Sequence, residues 1–150
     1  MLVVSIYHRL SRHRSMRLRY LVPVLAMSPA LALSEALHFQ SPSGNIQCVI
    51  SDTAGSVARC DLSVDVQSYT ERPESCDGDW GTSFGVMDQG PGFLNCPTDA
   101  IGSLSEVPIL PYGGTLEMLG IACRSEPTGM TCENAEGGGF FVRRAEQRVF

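Results

Sequence analysis

Lysine is absent from the 150 residues, so all eleven basic side chains are arginine. That absence removes Schiff-base and lysine-nucleophile chemistry, and with it the lysine of a phosphate-binding loop. Histidine occurs only as His8, His13 and His38, and tryptophan only as Trp80. No apolar run reaches the ~20 residues needed for a membrane-spanning helix. Beyond residue 36 no window shows an unbroken i, i+3, i+4, i+7 apolar set free of Gly and Pro, so long amphipathic helices are excluded as well. What the chain does have is a 43% hydrophobic composition, too apolar for intrinsic disorder, in a length suited to one domain.

The first residues read as an address. Five arginines (Arg9, Arg12, Arg14, Arg17 and Arg19) precede a fourteen-residue apolar run, Tyr20 to Leu33, broken by Pro23 and Pro29. Small residues follow at Ala30-Leu31-Ala32 and Ser34-Glu35-Ala36. A basic start, a short apolar run and an A-x-A-like site predict a secretory signal peptide over 1–36, cleaved between Ala32 and Ala36. A translation start at Met16 would leave a compact version of the same signal. No Cys follows the apolar run directly, which argues against a lipid anchor. The mature chain, 37–150, is then a single domain, periplasmic or extracellular, with no integral membrane segment. It holds six arginines against fifteen carboxylates, a formal charge of −9. Such a surface repels phosphate backbones and anionic lipid, so nucleic acid is excluded as a partner.

Six cysteines lie beyond the cleavage point: Cys48, Cys60, Cys76, Cys96, Cys123 and Cys132. An even count in a short exported chain predicts disulfides. Zinc would require close C-x₂₋₄-C pairs or histidine partners, and neither is present. Turn chemistry selects two pairings. Asp52-Thr53-Ala54-Gly55 folds its flanking arms so that Cys48 faces Cys60. Glu126-Pro127-Thr128-Gly129 supplies Pro and Gly where a tight turn uses them, and places Cys123 opposite Cys132. Cys76 and Cys96 pair by elimination. Ile46-Gln47-Cys48 and Ile121-Ala122-Cys123 open both hairpins alike, a faint internal repeat.

Short runs bounded by turn residues complete a β reading: 37–40, 45–51, 57–64, 83–87, 93–96, 115–123, 130–133 and 140–143. The predicted fold is all-β, a small disulfide-stapled antiparallel sandwich or barrel. The stretch 67–81 is a long loop clipped by Cys76. Gly137-Gly138-Gly139 is a tight bend feeding a last buried strand, since no helix or Lys-Ser/Thr follows to form a phosphate cradle.

Several marks occur in a fixed order. They are Phe39-Gln40-Ser41-Pro42-Ser43-Gly44-Asn45-Ile46-Gln47-Cys48, Ala58-Arg59-Cys60-Asp61, Asp79-Trp80-Gly81, Cys96 with Asp99, Leu110-Pro111-Tyr112-Gly113, Gly129-Met130-Thr131-Cys132 and Gly137 to Phe141. This order resembles the DUF6636-like group of small exported bacterial proteins of unknown function. The resemblance spans nearly the whole mature chain and implies export and disulfides without naming an activity. That group carries G-H-G-F near its end, where this chain has Gly137-Gly138-Gly139-Phe140. Any chemistry of that histidine is missing here.

Catalytic equipment is sparse. His38 lies within two residues of the predicted new terminus, a poor position for a general base, and no G-x-S-x-G elbow is present. Paired cysteines supply no thiolate. Carboxylates remain: Asp77 and Asp79 flank Gly78 beside Trp80, with Glu71 and Glu74 upstream. Asp77, Asp79, Trp80 and Tyr112 are the candidate ligand-binding residues, and no cofactor is implied. The favoured reading is a secreted or periplasmic binding module for an unknown protein or glycan partner in the cell envelope. The alternative is a carboxylate-based hydrolase or a calcium-binding protein using the acidic loop around Trp80, although the EF-hand pattern is not completed.

Overall fold

Alternation of inward and outward residues, the period-two signature of a half-buried strand, builds most central elements, whereas 83–86 is buried throughout. The computed structural model describes residues 36–53, 55–101 and 106–150. The predicted leader therefore lies outside the described residues except for Ala36, which opens the first strand. Among the described residues there are ten strands and no helix. β1 (Ala36–Gln40), β2 (Ile46–Ser51), β3 (Val57–Leu62), β4 (Ser83–Met87) and β5 (Phe93–Leu94) form one antiparallel sheet in sequential order. β6 (Thr115–Met118), β7 (Ile121–Glu126), β8 (Gly129–Asn134), β9 (Gly139–Arg143) and β10 (Glu146–Val149) form a second sheet of the same kind. The two pack face to face as an all-β sandwich, with their inner faces sharing one apolar core.

The sheets repeat each other at their centres. Across the first, Phe39, Cys48, Cys60, Phe84 and Leu94 are successive strand partners. Across the second, the equivalent row is Leu116, Cys123, Cys132, Phe140 and Val149. Each row closes a disulfide between directly opposite residues, with Cα atoms 4.1 Å apart for Cys48–Cys60 and 4.0 Å for Cys123–Cys132. These are the pairings that turn chemistry predicts, and the Ile-x-Cys repeat is their trace in the sequence. The two bridges face each other across the sandwich, Cys60 Sγ lying 3.9 Å from Cys132 Sγ. Beside them the rings of Phe84 and Phe140 meet at 6.4 Å between centroids. All four cysteines and both rings are fully buried. Burying a Phe side chain contributes roughly 1.5–3 kcal/mol, so this doubled row is the anchor of the core.

The third disulfide, Cys76–Cys96, is peripheral: Cys76 is buried but Cys96 is exposed. It clips the irregular β3–β4 connection, residues 63–82, to the segment after β5. The same connection crosses to the second sheet and covers the outer edge of β10. Asp65 and Val66 donate their N–H groups to Arg144 O, Ser68 N donates to Gln147 Oε1, and Val149 N donates to the Tyr69 hydroxyl. A covered edge cannot recruit a further strand.

Several expectations need correction. The run 115–123 is not one strand, because Leu119 and Gly120 (φ 54° and 78°) turn the chain and make β6 and β7 a hairpin. Leucine is a poor residue for positive φ, and here its packing against the core offsets that strain. The strand after the triple glycine is not the last. β10 follows it, hidden from pattern reading because one of its two inward residues, beside Val149, is Gln147, which is buried and donates to Val66 O and Arg143 O. Finally, 93–96 forms a strand only as far as Leu94, and 57–64 only as far as Leu62.

Candidate functional site

The two ends of the sandwich differ. At one end lie the β4–β5 and β8–β9 turns, which lock together. Buried Asn134 donates from Nδ2 to Met87 O (3.0 Å) and Gly90 O (2.7 Å), and its Oδ1 accepts from the N–H groups of Glu136 and Gly138 (both 3.0 Å). A Cβ on Gly138 would sit 1.9 Å from Gly90 O, and one on Gly92 would sit 1.8 Å from Gly139 O. Backbone fills the space that side chains would need. Glycine at position 138 is thus required by this packing, where the G-H-G-F pattern has histidine.

The opposite end is open. A groove of about 1140 Å³ runs over the β1–β2 turn, the end of β3, the approach to β4, and the β7–β8 and β9–β10 turns. On the first sheet it is lined by Ser41, Ser43, Asn45, Asp61, Asp79 and Thr82. From the other side come Tyr112, Glu126, Thr128, Arg143 and Arg144.

Local bonds hold this lining firmly. The β1–β2 turn closes through Gly44 N–H to Ser41 O, Ser41 N–H to Ile46 O and Ile46 N–H to Ser41 Oγ. The Ser41 and Ser43 hydroxyls bond each other at 3.1 Å. Tyr112 sits on a tight turn braced by Gly113 N–H to Ser125 O (2.7 Å) and Gly114 N–H to Pro111 O (2.8 Å). Tyr112 is 50% exposed and, of the exposed large hydrophobic residues among the described residues, is the one that lines the groove.

Most charges in the groove are already satisfied. Asp61 takes a two-pronged ion pair from Arg59 (2.8 and 2.6 Å) and further bonds from Ser83 Oγ (2.6 Å) and Ile101 N–H (2.8 Å). Arg59 also reaches Asp99 O, so this clasp pins the segment at 99–101 to β3. Arg143 pairs with Glu146 and Arg144 with Asp65, both at 2.6 Å. The carboxylates of Asp79 and Glu126 have no such partner among the described residues.

Of the four residues singled out in the sequence, Asp79 and Tyr112 line the groove, whereas Asp77 and Trp80 do not. Asp77 is exposed on the clipped loop. Trp80 is partly buried, its carbonyl accepts from Gln67 Nε2, and its Nε1 finds no acceptor among the described residues. His38 is partly buried on β1 opposite Val49, apart from the groove. Among the described residues no three His, Cys, Asp or Glu side chains gather to share a metal ion. No helix there is long and apolar enough to cross a membrane. Ser43, Asn45, Thr82 and Thr128 are not marked by sequence as candidate ligand-binding residues, because such residues beside Gly and Pro read as ordinary turn material.

The family model for DUF6636, a family of unknown function, matches residues 19–150. The chain belongs to this family. No curated protein and no solved structure gives a match. The DUF6636 match takes in both sheets, both ends of the sandwich, and the whole apolar run 20–33 before β1.

Proposed function

We propose that this DUF6636 protein is an exported binding module of the cell envelope, with the groove as its contact surface. Residues 1–36 act as a signal peptide and 37–150 as the single mature domain, working in the periplasm or outside the cell. Three disulfides accord with an oxidising compartment. The observation that carries the reading is the groove: a recess of about 1140 Å³ with unpartnered polar groups, held on turns that hydrogen bonds and a disulfide-braced core keep in place. Preformed recesses with a few convergent polar groups are where ligands bind. Asp79 reaches this recess without Asp77, which favours binding over a site built from the acidic loop.

The test has two parts. Intact mass of the exported protein should correspond to a start between Leu33 and Leu37, and a secreted species still carrying Arg17 and Arg19 would refute the signal. The exported protein should also co-sediment with washed envelope material. Tyr112→Ala combined with Thr128→Ala should abolish this, while Asp77→Asn should not. Equal retention of all variants would refute the groove. Release of reducing ends from envelope glycan, lost in Asp79→Asn, would replace the binding reading with a hydrolase.

A further inference from the structure

We infer that the groove takes an uncharged, hydroxyl-rich ligand, an oligosaccharide of several rings; this rests on the binding role proposed above. The lining selects the chemistry. Ser43 and Asn45 from the β1–β2 turn, Thr82 from the approach to β4 and Thr128 from the β7–β8 turn offer neutral donors and acceptors from three separate segments, the kind of dispersed set that vicinal hydroxyls satisfy. Asn45 leaves its side-chain carbonyl free, its Nδ2 making only a long 3.5 Å bond to Ser63 O.

Charge excludes the main competitor on one side. Arg143 and Arg144 are committed to Glu146 and Asp65. Asp79 and Glu126 are the carboxylates left uncommitted, so a phosphate or uronate would meet net repulsion. Toward a neutral sugar the same two carboxylates act as strong acceptors for hydroxyl protons, and charge-assisted O–H···O⁻ bonds are about twice as strong as neutral ones.

Tyr112 supplies the apolar half of the contact. A pyranose has one face of C–H groups, which covers an aromatic ring while its hydroxyls remain free for polar partners. The half-exposed ring stands on a braced turn, so little motion is lost when a sugar covers it. Size points the same way. Drug-sized ligands occupy recesses of about 300–1,000 Å³, and the groove, at about 1140 Å³, has room for more than one ring.

Calorimetric titration of the exported protein tests the inference. The probes are the neutral hexasaccharides of β-1,4-N-acetylglucosamine, mannose and α-1,4-glucose, with hexagalacturonate and hexa-arginine as charged arms. At least one neutral hexasaccharide should bind, with affinity almost unchanged between low and high salt. Tyr112→Ala should weaken that binding about tenfold, or 1.4 kcal/mol, and Asp77→Asn should leave it alone. Binding confined to hexa-arginine and lost at high salt would overturn the sugar class in favour of a cationic peptide, as would binding confined to hexagalacturonate in favour of an anion. No binding of any probe, while groove-dependent sedimentation with envelope persists, would overturn the sugar class but not the binding role. Loss of that sedimentation would instead overturn the role itself.

Discussion

The two ends of the sandwich solve different problems with the same kinds of residue. At the sealed end, Asn134 spends all its hydrogen-bonding capacity on backbone, and Gly92, Gly138 and Gly139 let main chains touch. At the groove end, the Ser41 and Ser43 hydroxyls close the β1–β2 turn, while Asn45, Thr82 and Thr128 line the open recess. One end uses polar residues to join the sheets, and the other uses them to leave the sheets apart. The difference lies in what is left over: a buried amide with every group satisfied is scaffold, and a half-satisfied one on a braced turn keeps hydrogen-bonding capacity free at the surface.

Breaking the sealed end should cost the most. Asn134→Ala removes four hydrogen bonds and leaves Met87 O, Gly90 O and two N–H groups poorly satisfied. A loss of about 3 kcal/mol is expected in chemical denaturation. Gly138→Ala forces a methyl group into Gly90 O and should cost about 2 kcal/mol by the same measurement, through overpacking of backbone. Equal loss from Gly137→Ala would not sharpen the comparison, since that glycine has φ 83° and open space around it.

At the groove end the effects should be smaller. Asp61→Asn weakens the clasp on 99–101, and a loss of about 1.5 kcal/mol is expected because the hydrogen bonds go to a charged group. Tyr112→Ala should change stability by less than about 0.5 kcal/mol, as for an ordinary surface substitution. A melting curve that collapses on removal of Tyr112 would make it a core residue and break the contrast between the ends.

Ser125 offers a finer test on the repeat. It occupies the position in β7 that buried Ile50 holds in β2, two residues beyond the cysteine, and its hydroxyl is buried with no partner among the described residues. Ser125→Ala should therefore be neutral or stabilising by up to about 1 kcal/mol, read as an equal or higher melting temperature.

The cysteine hairpins were legible because their turns contain Pro and Gly at positions with a conformational reason, so counting outward from Pro127 reaches Cys123 and Cys132. The β6–β7 turn was not legible, since Leu119 takes positive φ against its own preference and is held by tertiary packing that local pattern does not display. Likewise Gln147 disguises β10 because its burial is made good by Val66 and Ser68, far away in the chain. The groove was half visible. Asp79 and Tyr112 stand out by residue type, but the recess exists only where two sheets bring separate turns together, and no window of sequence contains that. Trp80 stood out most and lies outside it.

Residue-resolved chemical-shift mapping of the exported protein, titrated with a soluble neutral envelope oligosaccharide, tests the division between scaffold and contact end most directly. Perturbed amides should cluster at 41–47, 79–82, 112–114 and 126–129, with the Cys48–Cys60 and Cys123–Cys132 rows and the sealed end unmoved. Perturbations centred on Glu71 to Asp77, or on the turns around Gly90 and Gly138, would contradict the account.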